Sequence, residues 1–237
     1  PTSLFWGGAL LGGLLFGAVL IAWIFSGLMS MRPWHLLDNQ SVLPPAAYYG
    51  AELHADNSTL PIAEAIKRFD QAGIQARELE WRFISGKGYL VAYDSVGSSQ
   101  IMPTGGDVEP QVQLPSITLE RAAQAMLPGA QVEIEWRTAY DFYYYARAEQ
   151  SMYGNKNKRL PMLRVLFNDP AGTWVHIDPY SGALIEQLDQ RARIGRWLFN
   201  LLHSWDWLPL LERSLLREVL IIALSLGGFA ISVTGIV

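Results

Sequence analysis

Four histidines and no cysteines bound the chemistry open to this 237-residue chain. Without Cys there is no disulfide, thiolate nucleophile, Fe–S cluster or thiolate zinc site. The histidines are His35, His54, His176 and His203. His54 stands beside Glu52 and Asp56 in a polar run that reads as a solvated loop, with a weak surface metal site as the alternative. His176 alternates with Val175 and Ile177, so it shares a strand face with Trp174 and Asp178. No nearby spacing supplies it with metal ligands, and an exposed or half-exposed strand histidine is expected. His35 and His203 each lie close to a long apolar run, on the segment that joins the two runs. Both therefore fall on one side of any bilayer the runs cross, and two imidazoles converging there could ligate a b-type haem axially. On a helical wheel His203 lies about 180° from Ile194, opposite the apolar stripe, and would face the soluble domain. His203, Ser204 and Asp206 are the ingredients of a hydrolytic triad. Within one helical turn they diverge by about 100° per residue and cannot converge. Neither HExxH nor a phosphate-binding Walker sequence occurs.

The apolar runs must position whatever chemistry exists. Residues 4–29 and 219–237 contain no Asp, Glu, Lys, Arg or His. A bilayer core about 30 Å thick needs about 20 apolar helical residues. The sequence thus predicts spans at 4–30 and 214–237. Gly8 with Gly12, and Gly13 with Gly17, form two GxxxG pairs in the first span, a spacing that lets a second helix approach closely. Trp34, with Arg32 and Pro33, marks the exit from the bilayer. The chain begins at Pro1 without Met and stops at Val237 inside an apolar run, so it reads as part of a longer polypeptide. A net charge of -4 argues against a nucleic-acid footprint.

A connector at 31–60 leads into an internal repeat. Residues 61–84 and 116–137 each read as a short amphipathic helix, a turn near Gly73 or Gly129, and a strand carrying Glu-Trp-Arg, at 80–82 and 135–137. Alternation puts Leu79, Trp81 and Phe83 on one face of the first such strand, and Val132, Ile134 and Trp136 on one face of the second. Further strands are expected at 88–94 and 99–104 in the first copy, and at 142–147, 163–167, 173–178 and 183–188 in the second. Two α+β modules result, 61–109 and 115–190, each a helix on a small antiparallel sheet. Tyrosines at 140–145 would then line both faces of a strand, as sheet packing or as a ligand groove. At 193–208, Ile194, Trp197, Leu198, Leu201, Leu202, Trp205 and Leu208 follow helical spacing. With Trp207 they predict an amphipathic helix at the membrane surface.

The repeat and the segment TWVHIDPYSGALI at 173–185, with its Asp178-Pro179-Tyr180-Ser181-Gly182 turn, resemble PepSY domains. Residues 196–237 and 23–37 resemble PepSY-associated transmembrane proteins of bacteria. The resemblance implies an inner-membrane protein with an extracytoplasmic domain. Six arginines on the domain side (32, 191, 193, 196, 213 and 217) would suggest the opposite orientation, but long domains translocate largely regardless of charge. Some relatives in that family resemble haem-containing ferric-siderophore reductases. Their histidine near the start of the first span has no counterpart in PTSLFWGG at 1–8. The expected fold is a membrane protein of α+β class: two transmembrane helices flanking tandem PepSY-like modules, with an interfacial amphipathic helix. The expected function is a non-enzymatic accessory or regulatory subunit that meets a membrane-protein partner and the lipid bilayer. An electron-transfer role with haem between the spans is the alternative, and inhibition of a periplasmic protease is a third.

Overall fold

The computed structural model describes residues 2–31, 35–40, 42–50, 60–147 and 158–234. Contacts divide the chain into two units: residues 1–39, 140–156 and 190–237, and residues 40–139 and 157–189. The expectations at Trp34 and His54, and the surroundings of Gly8, lie outside the described residues.

The first unit is helical. Apolar residues without an internal proline build α1 (Thr2–Ser30), and a second such run builds α8 (Ser214–Thr234). Leu10–Ser30 and Ser214–Val233 are long and apolar enough to cross a membrane, and only 11% of each is buried within the chain. A soluble core helix would be mostly covered. The two helices pack at glycines of α8. A Cβ on Gly227 would stand 2.1 Å from the Phe16 ring, and one on Gly228 would stand 3.1 Å from Leu20.

Between them the chain departs from the uniform helix expected at 193–208. It runs as α5 (Gln190–Gly195), a π-helical stretch (Arg196–Leu201) and α6 (Leu202–Ser204). Trp205 then takes a left-handed backbone, φ 52°, and ends the helix. A four-residue helix, α7 (Leu208–Leu211), leads into α8. A π turn holds more than 3.6 residues, so side chains beyond it are rotated from their α-helical directions.

The tyrosine run also differs from expectation. No strand forms at 142–147; Asp141 and Tyr144 instead bridge across a tight turn. The Asp141 carboxylate accepts the amides of Tyr143 and Tyr144, at 2.9 and 2.8 Å. An Asx-type turn of this kind offers the backbone partners that a ladder would otherwise supply.

The second unit is α+β and holds two antiparallel sheets. β1 (Glu78–Ile84), β2 (Lys87–Tyr93) and β3 (Ser99–Pro103) form the first, in that order. β4 (Val132–Arg137), β5 (Met162–Phe167), β6 (Trp174–Ile177) and β7 (Leu184–Leu188) form the second. α3 (Ile62–Gln71) buries Ala65 and Phe69 against Leu90, Ala92 and Met102, with Leu79 and Trp81 at the margin. α4 (Ser116–Gln124) buries Leu119, Ala122 and Ala123 in a larger core. That core takes Val91 and Ile101 from the first sheet and Val165 and Val175 from the second, so it spans both copies. In the second copy, Val132 and Ile134 pack on the core while Trp136 remains 42% exposed.

A short helix, α2 (Pro45–Tyr49), adds Tyr48, which is wholly buried and donates its hydroxyl to the Gly182 carbonyl at 2.9 Å. Gly182 has φ +68°, and a Cβ there would stand 2.2 Å from Ile84 Cδ1. The turn at 178–182 is therefore a joint. Asp178 accepts the Tyr180 amide (3.0 Å), the Ser181 hydroxyl (2.7 Å) and the Arg159 guanidinium (2.6 Å). Arg159 also donates to Ser99 on β3 (2.6 Å), which links the two sheets through one side chain.

Candidate functional site

In the helical unit the chemistry gathers where the 140–147 turn meets the end of α6. Asp206 is fully buried. Its Oδ2 accepts the Tyr145 hydroxyl at 2.8 Å and the Arg147 guanidinium, and its Oδ1 accepts Arg217 at 3.0 Å. Arg217 also reaches the Ser204 carbonyl, at 2.7 and 3.2 Å. Arg196 donates to the Tyr143 carbonyl and lies 5.1 Å from the Tyr145 ring centre. A buried carboxylate of this kind must be paired and hydrogen-bonded, because its desolvation costs several kcal/mol. Two arginines and a phenol meet that need, and they pin the 205–207 turn to α8 and to the tyrosine turn.

Beside this cluster lies an apolar groove of about 540 Å³. One wall is α1, through Leu15, Ala18, Val19 and Ala22; the other includes Trp197, Trp205 and Trp207. Trp197 is seated by Phe142, with ring centres 4.3 Å apart, and by an indole donation to the Tyr143 hydroxyl at 3.0 Å.

His203 does not face the soluble domain, as an unbroken wheel predicts. Past the π stretch its Nδ1 lies 3.2 Å from Ser26 Oγ, within α1, and its ring stacks on Phe199. Ser26 donates its hydroxyl to the Trp23 carbonyl (3.1 Å), so its lone pairs are left for the imidazole. His35 engages a different partner, Asp38, at 2.8 Å, from a side chain 84% exposed. Bis-histidine ligation of a b-type haem needs two imidazoles aimed at one iron across a macrocycle-sized space. The groove includes neither histidine in its lining. His203 and His35 do not share a partner. Nor do His203 and Asp206 meet as a triad requires: the imidazole lies against Ser26, and the carboxylate accepts from Tyr145, Arg147 and Arg217. Among the described residues no three His, Asp or Glu groups converge as a metal site.

The α+β unit holds a second polar constellation. The register sets Glu135, Arg164, His176 and Glu186 side by side on β4, β5, β6 and β7. His176 is wholly buried, against the expectation of an exposed strand histidine. Arg164 Nε donates to His176 Nε2 at 2.9 Å, which leaves Nδ1–H to donate to Glu186 at 2.9 Å. Lys158 closes the row with bonds of 2.9 and 3.1 Å to both Glu186 oxygens. Burial, with the Arg164 and Lys158 charges, lowers the His176 pKa against the opposing pull of Glu186. Arg164 also lies 4.8 Å from the Trp174 ring centre. Burial likewise raises the Tyr48 pKa.

Comparison with protein-family models, with curated proteins and with solved structures finds no match to this chain.

Gly12, Gly13 and Gly17 are not brought to α8. No heavy atom lies within 4 Å of where a Cβ would stand on any of them. Trp197, Trp205 and Trp207 are brought together around the groove. The Asp206 cluster and the ladder through His176 were not expected. A sequence signal exists for the first: an Asp between two tryptophans, with an Arg eleven residues on. For the second the signal lies only in strand register.

Proposed function

We propose that this chain is a PepSY-like protein of the bacterial inner membrane, anchored by α1 and α8. Its α+β unit is extracytoplasmic, and it serves as a non-enzymatic accessory or regulatory subunit of a membrane complex. The observation that carries the reading is the uncovered glycine face of α1. Its own partner helix docks at Phe16 and Leu20, while Gly12, Gly13 and Gly17 stay open to a helix from another chain. Small residues four apart drive helix association in lipid, where apolar burial between helices gains little. The apolar surface of both helices that the chain leaves uncovered fits lipid and a partner span.

The test is purification of the native chain from bacterial membranes in mild detergent, followed by identification of co-eluting proteins. A defined partner is expected, and it should be lost from Gly13→Leu and Gly17→Leu variants that still insert. A free monomer, or a partner retained unchanged by both variants, overturns the proposal.

A further inference from the structure

We propose that the outer edge of β4 pairs with the same edge of a second copy, joining two four-stranded sheets across a two-fold axis. The inference concerns the α+β unit alone and does not rest on the membrane reading.

The backbone marks the edge. Just before β4, the Asn168 amide donates to the Gln131 carbonyl at 3.0 Å. Alternate residues of an antiparallel strand bond to one neighbour, so Glu133, Glu135 and Arg137 serve β5. Val132, Ile134 and Trp136 therefore turn their N–H and C=O groups away from β5. Among the described residues no other segment bonds to those groups. The other sheet edges differ. On β3, Ile101 exchanges two bonds of 2.8 Å with Gln111. β1 runs into α2, whose Tyr48 and Tyr49 carbonyls accept the Ser85 and Gly86 amides at 2.9 and 2.8 Å. β7 is tied to the segment before α2. Gln187 bonds both backbone groups of Leu43, at 2.9 and 3.0 Å, and Asp189 accepts the Gln40 amide at 2.6 Å. An open edge invites another strand, and proteins blunt such edges with proline, bulges or covering segments. β4 reads VEIEWR, without proline or glycine, and follows β5 in unbroken register.

Charge selects the occupant and its register. Opposed residues of an antiparallel pair put their side chains on one face, where like charges repel and opposite charges attract. A two-fold axis through Glu133, Glu135 or Arg137 sets that residue against its own copy. An axis through Ile134 sets Glu133 against Glu135 of the second copy, twice. An axis through Val132 carries the second copy onto residues 128–130, where the chain turns and Gly129 has φ 85°. An axis through Trp136 opposes Glu135 to Arg137 and Arg137 to Glu135, with the two indoles side by side. The Glu-Trp-Arg triplet is thus self-complementary about its tryptophan. No uncompensated charge is needed: Glu135 already lies 3.6 Å from Arg164 and 4.0 Å from Arg137 of its own chain, and pairing continues that alternation. The Arg137 and Glu135 side chains are 37% and 35% exposed, enough to reach a neighbouring strand. Pairing over 134–138 makes a small contact, so the dimer is reversible and concentration-dependent.

The test uses the full chain in detergent. It has no Cys of its own, so one introduced thiol reports one contact. Opposed Cα atoms of a hydrogen-bonded pair stand about 5.5 Å apart, which suits a disulfide. Under mild oxidation Trp136→Cys is expected to form a linked dimer about tenfold faster or more than Val96→Cys, which is 83% exposed in the β2–β3 turn. Sedimentation should show a wild-type dimer. Trp136→Pro removes the outward amide without touching the β5 ladder and should weaken that dimer about tenfold or more. Trp136→Val keeps the amide and should retain more of it. Arg137→Glu brings carboxylates face to face twice and should weaken it as well. Thr138→Pro, just beyond the strand, is the second backbone variant should Trp136→Pro fail to fold. A monomer at every concentration, equal cross-linking at positions 136 and 96, unchanged association in both proline variants, or a strand of another protein seated on β4 would each overturn the proposal. So would a dimer lost in Gly17→Leu and kept in the proline variants, which would place the contact on α1.

Discussion

Mild acid should destabilise the α+β unit through one residue. His176 is buried and neutral, and its Nε2 accepts a bond from Arg164, which keeps its proton at all accessible pH. Protonating Nε2 converts that acceptor into a second donor facing a cation. Every charged group around the ring bears on the outcome: Arg164 from β5, Glu186 from β7, Lys158 from the segment before β5, and Glu135 behind Arg164 on β4. The folded-state pKa lies below the ordinary 6.5, with burial the largest cause and Glu186 opposing it. The unfolded chain therefore binds the proton more readily. Above pH 6.5 neither state is protonated and stability is full; it falls as pH drops from 6.5 toward the folded pKa. The slope cannot exceed about 1.4 kcal/mol per pH unit for one proton. Over one unit this corresponds to roughly 3–6 °C in Tm for a unit of this size. Thermal unfolding of the full chain in detergent between pH 7.5 and 5.0, followed by tryptophan fluorescence, reads it, since Trp174 packs on Arg164. His176→Gln keeps one acceptor and one donor without a titrating ring. Its slope across pH 6.5–5.5 should be shallower than wild type by most of this amount. Parallel slopes in the two proteins would refute the assignment.

Three further outcomes follow from single contacts. Asp206→Ala leaves Arg147 and Arg217 without their shared carboxylate and should cost the helical unit about 3–5 kcal/mol, seen as a lower unfolding temperature in detergent. Gly182→Ala forces a side chain into a left-handed conformation against Ile84 and should cost about 2 kcal/mol or more. The Ile84→Val double variant should recover part of that loss in a double-mutant cycle, because the clash is with the end of the Ile84 side chain. Gly227→Leu should break the α1–α8 pair, measured by loss of a cysteine cross-link between engineered positions on the two helices. Gly17→Leu should leave that cross-link unchanged, since a Cβ at position 17 meets nothing within 4 Å.

Much of the secondary structure was legible because it follows local periodicity. The two apolar runs, the helices at α3 and α4, and the strands β1 to β7 all carry patterns of 3.6 or 2. What escaped is non-local or sits where pattern and local chemistry conflict. The YDFYYY run has strand composition, yet one Asp141 carboxylate captures two amides and bends it. His176 reads as a polar-face residue, and it is one; but register lines it up with Arg164 and Glu186, and Lys158 closes the row. Alternation says which face a residue takes and nothing about whether that face is covered. The helical wheel at 193–208 failed for a sharper reason. It assumed a constant 100° per residue, and the π stretch violates that in the six residues before His203 and Trp205. Nothing in RWLFNL announces a wide turn, because its cause is distant: Arg196 is held by the Tyr143 carbonyl, Trp197 by the Tyr143 hydroxyl, and Asp206 by Arg147 and Arg217. The displaced phase turns His203 to Ser26 and sets three indoles around the groove. Side chains expected at the membrane surface as separate anchors thereby become the wall of one groove, and the residues that shape it are those which deform the helix.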